Sequence, residues 1–224
     1  METLLTLITA IAGPNGDEGI IQDDSFTTSD ITKVLNRGLL EIAGGGTRDY
    51  SVPTIPGLPL LRKDFTVATG TSNSATMPTD YQRDAWDGYN QQEDRLTLVD
   101  SLRQFRAKYG LNPTETTVSA FCVVGNTIYF NATPSTSVDL TIPGFRYPDD
   151  MENDGDIPDG IPAHLSYRLL VNFACMEIFL QIEQDENGSG PNFLRHKALY
   201  GEALKELHDF CPKDEPDEYV TYYE

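Results

Sequence analysis

Apolar residues recur every three or four positions at both ends of the chain, the spacing typical of amphipathic helices. Two such stripes lie in the first 49 residues; the second begins near Thr27 and closes at Gly44-Gly45-Gly46. Two longer stripes follow Pro162, a residue that suits a first helical position. In chain order the stripes are Leu4, Leu5, Leu7, Ile8 and Ile11; Ile31, Val34, Leu35, Leu39 and Ile42; Leu165, Leu169, Phe173, Met176 and Leu180; and Phe193, Ala198, Leu199, Ala203, Leu204 and Leu207.

The middle of the chain has a different pattern, with short β-rich runs separated by polar loops. Two such runs flank Gly125-Asn126, which predicts a hairpin with a two-residue turn. A third strand, over 137–142, is expected to pair beside that hairpin. Further short strands are predicted over 64–69, 75–81 and 95–99, and a short helix over 101–109 that ends at Gly110.

These patterns predict an α+β protein in which the N- and C-terminal helices form one bundle, because each pair alone leaves an apolar stripe uncovered. A small antiparallel β module is inserted between them, and an extended tail follows. The predicted divisions are N-terminal helices over 1–49, the β insertion with one short helix over 50–150, C-terminal helices over 151–211, and an acidic, tyrosine-rich tail over 212–224.

The net charge of the chain limits the classes of molecule that it can bind. The 224 residues include 35 acidic and 16 basic side chains, a formal net charge of -19. A field of that sign disfavours binding to the DNA backbone, although it suits a surface past which DNA slides. No apolar stretch is expected to reach membrane-spanning length, which predicts a protein without a membrane anchor.

The sequence predicts no catalytic, cofactor or metal site. The three histidines, His164, His196 and His208, lack the spacing of a metal-binding helix, and no nucleophile elbow, phosphate loop or dinucleotide fingerprint is present. The three cysteines lie far apart without a CxxC pair; Cys122 and Cys175 fall in apolar runs and are expected to be core residues.

One acidic segment, 150–156, resembles the first half of a calcium loop, with oxygen-bearing side chains at alternate positions followed by glycine. The position that should hold a bidentate glutamate is Ile161, and Pro158 occupies the ninth place. The segment is therefore either a calcium site or, the interpretation that the sequence favours, a solvated linker.

Tyrosines suggest two contact surfaces. The tail carries Tyr219, Val220, Tyr222 and Tyr223 among acidic residues, a composition that fits docking on a partner with a basic groove or, alternatively, a solubilising end. In the β insertion, Tyr81, Trp86 and Tyr89 either form a contact patch for a neighbour or a tail protein, or cover the face of their own sheet.

The order of several motifs resembles phage head-to-tail adaptor proteins, also called head-completion or connector proteins. The similar segments are, in chain order, Leu35-Asn-Arg-Gly-Leu-Leu-Glu-Ile-Ala43; Met77-Pro-Thr-Asp-Tyr81; Asn126-Thr-Ile-Tyr-Phe-Asn-Ala-Thr-Pro134; Ile161-Pro162; Leu169-Leu-Val-Asn-Phe-Ala174; and Tyr200-Gly-Glu-Ala-Leu204. The long β insertion and the glycine-rich loop at 13–19 depart from shorter members of the family.

The resemblance implies a structural protein of the virion without enzymatic activity or cofactor. Such adaptors bind the portal protein as a dodecameric ring, extend the DNA channel and offer a docking surface to tail (nozzle or tube) proteins, while DNA passes without specific binding. The C-terminal tail would reach the portal. The expected location is the head–tail junction of the virion, and the host cytoplasm during assembly.

Two other classes remain as alternatives. An acidic inhibitor that mimics DNA and occupies a basic host protein would use the same charge, but it should carry a regular surface array of carboxylates. A wall hydrolase would need an identifiable acid–base pair, which the sequence does not supply.

Overall fold

The computed structural model describes residues 2–13, 26–45, 55, 57–183 and 190–211. The chain divides into two compact units. The helical unit comprises Met1–Leu60 and Pro148–Glu224, and the sheet unit comprises Leu61–Tyr147. The predicted boundary at residue 50 lies outside the described residues.

The described part of the helical unit contains four α-helices and one 3₁₀ turn, Pro59–Leu61, at its edge. Local signals set the helix ends: Thr27 and Asp30 form a reciprocal capping box, with the Thr27 hydroxyl accepting the N–H of Asp30 at 3.2 Å. The last helix has proline at its first position. The helices are α1 (Leu4–Ala12), α2 (Thr28–Ala43), α4 (Ala163–Ile182) and α5 (Pro191–Phe210).

Helix α4 is the core of this unit and packs against α1, α2 and α5. The prediction of a single apolar stripe on α4 is wrong: buried residues cover most of its circumference, whereas Leu180, placed in the stripe, is exposed. The expectation that no apolar stretch reaches membrane-spanning length is also wrong, because α4 is long and apolar enough. Three neighbouring helices account for that composition, since they bury most of α4 inside the protein.

Three consecutive residues of α2 fix the helix against the C-terminal half of the chain. The Asn36 amide donates to the Met151 carbonyl at 3.1 Å and accepts the Met151 N–H at 3.0 Å. Arg37 forms an ion pair with the buried Glu177 of α4. Gly38 lies directly against the ring of Phe173, and a Cβ at Gly38 would stand only 2.5 Å from Cδ1 of that ring.

The sheet unit contains eight strands and one helix, α3 (Leu102–Tyr109). The strand order is β1-β8-β4-β5-β6-β7-β2, with β3 also pairing with β8. All pairs are antiparallel except β5 with β6, which is parallel. The strands are β1 (Arg62–Ala68), β2 (Ser74–Thr76), β3 (Tyr81–Arg83), β4 (Gly88–Tyr89), β5 (Arg95–Leu98), β6 (Ala120–Val124), β7 (Thr127–Phe130) and β8 (Asp139–Arg146).

The hairpin prediction is confirmed: β6 and β7 pair in antiparallel fashion around Gly125-Asn126, and Gly125 has a φ of 58°. The expected pairing of the next strand is wrong. Strand β8 does not join the hairpin but pairs with β1, β3 and β4. Its register with β1 aligns Phe65 with Ile142 and Val67 with Leu140, and all four side chains are buried. That shared apolar face explains the choice of partner.

The two faces of the sheet have separate apolar clusters. On one face Phe65, Phe121, Phe130, Leu140 and Ile142 are among the residues that form the main cluster. On the other face α3 inserts Phe105 against Ala120 and Cys122. Alternation along β6 places successive residues in the two clusters, as expected for a strand covered on both sides.

The predicted fold class is therefore wrong, because the chain is not a helical bundle with a small antiparallel module. It is an α+β protein with five helices and a curled, mixed sheet of eight strands in the described residues. Sequence patterns missed strands as short as β4, with two residues, and gave no sign of the parallel β5–β6 pair.

Replacing Gly38 with alanine should lower the stability of the helical unit. Alanine favours the helix by about 1 kcal/mol, but crowding a packed core costs about 1–3 kcal/mol. Because the Phe173 ring is fully buried and cannot move aside, we expect net destabilisation and a lower Tm by circular dichroism. Gly155→Ala is the control, since a Cβ there meets no atom within 4 Å. A Tm for Gly38→Ala at or above that of the control would contradict the tight α2–α4 contact.

Candidate docking surfaces

The predicted aromatic residues of the insertion have different environments. Tyr81 on β3 is buried, with its ring edge-on to Phe65 at a centroid distance of 5.4 Å. Burial raises the pKa of the Tyr81 hydroxyl above its usual value. This tyrosine is therefore part of the sheet core and presents no surface to a partner.

Trp86 is half-buried and packs on its own sheet. Its ring lies edge-on to Phe145 at 4.9 Å, and the Arg62 guanidinium stands 4.8 Å from its centroid on the ring face. Tyr89 on β4 is different, since 46% of it is exposed. Of the three predicted contact residues, Tyr89 is the most exposed.

The other predicted contact residues, Tyr219, Val220, Tyr222 and Tyr223, lie outside the described residues. The last helix, α5, ends at Phe210, and Cys211, the last described residue, is buried. The tail therefore continues from a residue held in the helical unit.

The acidic segment that resembled half a calcium loop is folded on itself. The Asp156 carboxylate accepts the N–H groups of Glu152 and Asn153, both at 2.8 Å. These bonds, that of Asn153 first, lower the pKa of Asp156 below its usual value. Asp159 likewise accepts the N–H of Asp149 at 2.9 Å. Within the described ranges no three acidic, histidine or cysteine side chains converge as metal ligands.

Both N-terminal helices anchor this segment. The first N–H groups of α1, those of Leu4 and Leu5, donate to the carbonyls of Asp156 at 2.7 Å and Asp154 at 3.1 Å. Asn36 of α2 holds Met151, as described above. The helix end thus satisfies its free N–H groups with loop carbonyls, and the loop gains a fixed position.

A groove lies beside the anchored segment, entirely within the helical unit. Its volume is about 750 Å³. Its lining combines buried apolar residues such as Pro158 and Ile161 with the exposed carboxylates of Asp149 and Asp150, which form an acidic rim. Neither lysine, arginine nor histidine is among its lining residues in the described part of the chain. The lining includes Leu60, Asp149, Asp150, Ile157, Pro158 and Ile161.

Side chains at the groove mouth are unusually exposed for their type. Leu60 is 67% and Ile157 45% exposed. An apolar surface with an acidic rim, carried on a loop that is fixed at several points, is suited to binding a partner that has both apolar and positive groups.

One histidine and the three cysteines are buried. His196 is buried in the helical core, where Nδ1 lies 2.9 Å from Oδ1 of Asn172 and the ring stacks on Phe179. Burial raises the pKa of the Cys175 thiol to about 12. The thiols of Cys122 and Cys211 also have raised pKa values, chiefly from burial. The prediction that Cys122 and Cys175 are core residues is confirmed.

Net charge is divided unequally between the two units. The sheet unit has eight basic and nine acidic side chains, and the rest of the chain has eight basic and 26 acidic ones. Almost all of the excess negative charge therefore belongs to the helical unit. The two units present surfaces of different electrostatic character to partners.

Comparison with known proteins adds no relative. No protein-family model matches this chain, and no curated protein matches it.

Sequence reasoning missed the anchored groove and the buried histidine. For the groove, a usable signal was the pair Ile157-Pro158 and Ile161-Pro162, in which an apolar residue and a proline recur within an otherwise charged segment. For His196, the signal was its spacing of four from Tyr200 and seven from Ala203, which places it on the buried face of α5.

Acidification should destabilise the protein through His196. Burial, with the charge of Arg195, lowers the pKa of His196 below its usual value, against a smaller opposing effect of Glu183. The unfolded state therefore binds more protons, and the contribution of neutral His196 is complete above about pH 6.5 and lost as pH falls below it. We expect stability to decrease between pH 7.5 and 5 by at most about 1.4 kcal/mol per pH unit from this group.

Thermal unfolding of His196→Gln across that pH range tests the assignment. The variant should show a flatter dependence on pH than the wild type. His164→Gln, at an exposed position, should keep the wild-type slope. Equal slopes for wild type and His196→Gln would show that another group is responsible.

Proposed function

We propose that this protein is a structural adaptor of a phage virion. It binds the portal protein as a ring, extends the DNA channel and provides a docking surface for tail proteins. The protein acts by binding other proteins through its surfaces. DNA passes without being bound specifically.

The observation that carries the proposal is the concentration of negative charge on one unit. A helical unit with 26 acidic against eight basic side chains repels the phosphate backbone. A channel wall of that sign lets DNA pass without retaining it. The nearly balanced sheet unit lacks this repulsion and is free to contact other proteins.

The division into two units also supports the proposal. A ring of identical subunits needs two different patches on each copy, because its contacts are head-to-tail. This chain offers distinct surfaces: the acid-rimmed groove of the helical unit and the exposed Tyr89 of the sheet unit. The choice of the portal and the tail proteins as partners rests on the order of sequence motifs, which resembles that of phage adaptors.

The test is assembly with a portal. The purified protein would be mixed with purified portal rings encoded by the same genome and analysed by size-exclusion chromatography with light scattering. We expect portal-bound rings, visible by electron microscopy as added density below the portal. Failure to bind the portal at low and physiological salt would overturn the proposal, as would tight one-to-one binding to a basic host nuclease, which the DNA-mimic alternative requires.

Removal of residues 212–224 should weaken attachment to the portal about tenfold or more, because the tail tyrosines supply contact area at low entropic cost. The Tm should stay unchanged, because the described helical core ends at Cys211. Replacement of Tyr219, Tyr222 and Tyr223 by serine, with the tail otherwise intact, should weaken portal attachment to the same extent. A matched variant with Asp214→Asn, Glu215→Gln and Asp217→Asn tests whether the negative charge of the tail contributes to portal attachment. Undiminished portal attachment by the truncated protein would exclude the tail from the interface.

A further inference from the structure

Helix α3 of the sheet unit carries three exposed basic residues and no acidic one. Arg103, Arg106 and Lys108 are all exposed, and no acidic residue occurs between Leu102 and Tyr109. Arg106 and Lys108 lie over the rings of Tyr129 and Tyr109, at 5.7 and 5.0 Å from the ring centroids. In the described part of the chain none of the three cations forms an ion pair.

An exposed apolar side chain follows the same helix. Leu111 is 65% exposed, directly after Gly110 ends α3. The Leu111 carbonyl accepts a hydrogen bond from the Asn73 amide at 3.1 Å, which holds this position against the rest of the sheet unit. Arg103 and Arg106, three residues apart, thus share one side of this fixed helix, Lys108 lies on another side, and Leu111 follows at the helix end.

The groove of the helical unit is the chemical complement of this surface. Its walls include Ile157 and Ile161, and Asp150 stands at its rim. The same anchored loop carries Glu152 and Asp154, which are exposed. None of these three carboxylates forms an ion pair within the described residues.

Charge also limits how two copies can meet. A contact between two helical units would place two strongly acidic surfaces against each other, which is unfavourable. A contact that joins the sheet unit of one copy to the helical unit of the next avoids this repulsion. The chain's own acidic tail is a poor occupant of the groove, because residues 212–224 contain five acidic residues and one lysine.

We propose that α3 and Leu111 of one copy bind the acid-rimmed groove of a second copy. Arg103 and Arg106 face the carboxylates of the rim, Lys108 adds positive charge to the same helix, and Leu111 enters the apolar part of the groove. The contact is head-to-tail, so repetition gives a ring if the rotation closes. The inference deepens the proposed adaptor function by naming the contact between subunits, and it rests on that function only for its biological purpose.

Charge exchange between the two surfaces tests the proposal in the full chain. One variant carries Arg103→Glu, Arg106→Glu and Lys108→Glu; the other carries Asp150→Lys, Glu152→Lys and Asp154→Lys. Self-association would be measured by analytical ultracentrifugation at low ionic strength, where screening is weakest. We expect the wild type to associate, and each variant alone to associate about tenfold or more weakly.

Mixing the two variants should restore association, because each reversed surface then meets its complement. The matched control carries Arg195→Glu, Lys197→Glu and Lys205→Glu on α5. It makes the same change in net charge on another helix and leaves both proposed surfaces intact, so it should associate as strongly as the wild type. Leu111→Ser should weaken association without a change in charge. Circular dichroism would verify that every variant is folded.

A wild type that stays monomeric at its highest soluble concentration overturns the proposal. Association of both triple variants that is as strong as that of the wild type also overturns it. So does a mixture of the two variants that associates no more strongly than each variant alone. These results leave the adaptor function standing if the protein still binds portal rings. The converse result is that the two variants restore association on mixing although the wild-type protein does not bind portal rings. That result would support the contact between copies and reject the adaptor function.

Discussion

The docking of α2 on the C-terminal half of the chain is the interaction on which the helical unit depends. Asn36, Arg37 and Gly38 contact Met151, Glu177 and Phe173 respectively, more than 100 residues away in sequence. Each contact is of a different kind: a pair of hydrogen bonds between a side-chain amide and the backbone, an ion pair to the buried Glu177 carboxylate, and a close helix approach that only glycine allows. Together they join segments that precede and follow the sheet unit in the sequence into one helical unit.

The same docking gives the acidic loop its rigidity. Asn36 holds Met151, α1 donates its first N–H groups to Asp154 and Asp156, and the Asp156 carboxylate closes the turn from within. A segment so rich in carboxylates would otherwise extend under its own repulsion. Because the segment is already fixed, association through the proposed groove would carry a lower entropic cost than association through a mobile loop.

Local patterns in the sequence predicted local structure well. Helix spacing located α1, α2, α4 and α5, and Gly125-Asn126 located the β6–β7 hairpin. Long-range pairing was not predictable in this way. Nothing near residues 139–146 indicates that β8 pairs with β1, more than 70 residues earlier, and Glu177 reads as a surface residue until Arg37 is placed beside it. The groove depends on long-range contacts of this kind. Its residues were therefore predicted to form a charged linker and not a binding site.

The most direct test of this account is to remove the sheet unit. Arg62 pairs with Phe145, so the two ends of the insertion lie side by side and a short glycine linker can replace residues 61–147. If both chain ends form a self-sufficient core around α4, the shortened protein will unfold cooperatively on heating, with the circular dichroism of a helical protein. A shortened protein that is soluble but shows no cooperative transition would contradict the claim that the α2–α4 docking holds this unit together.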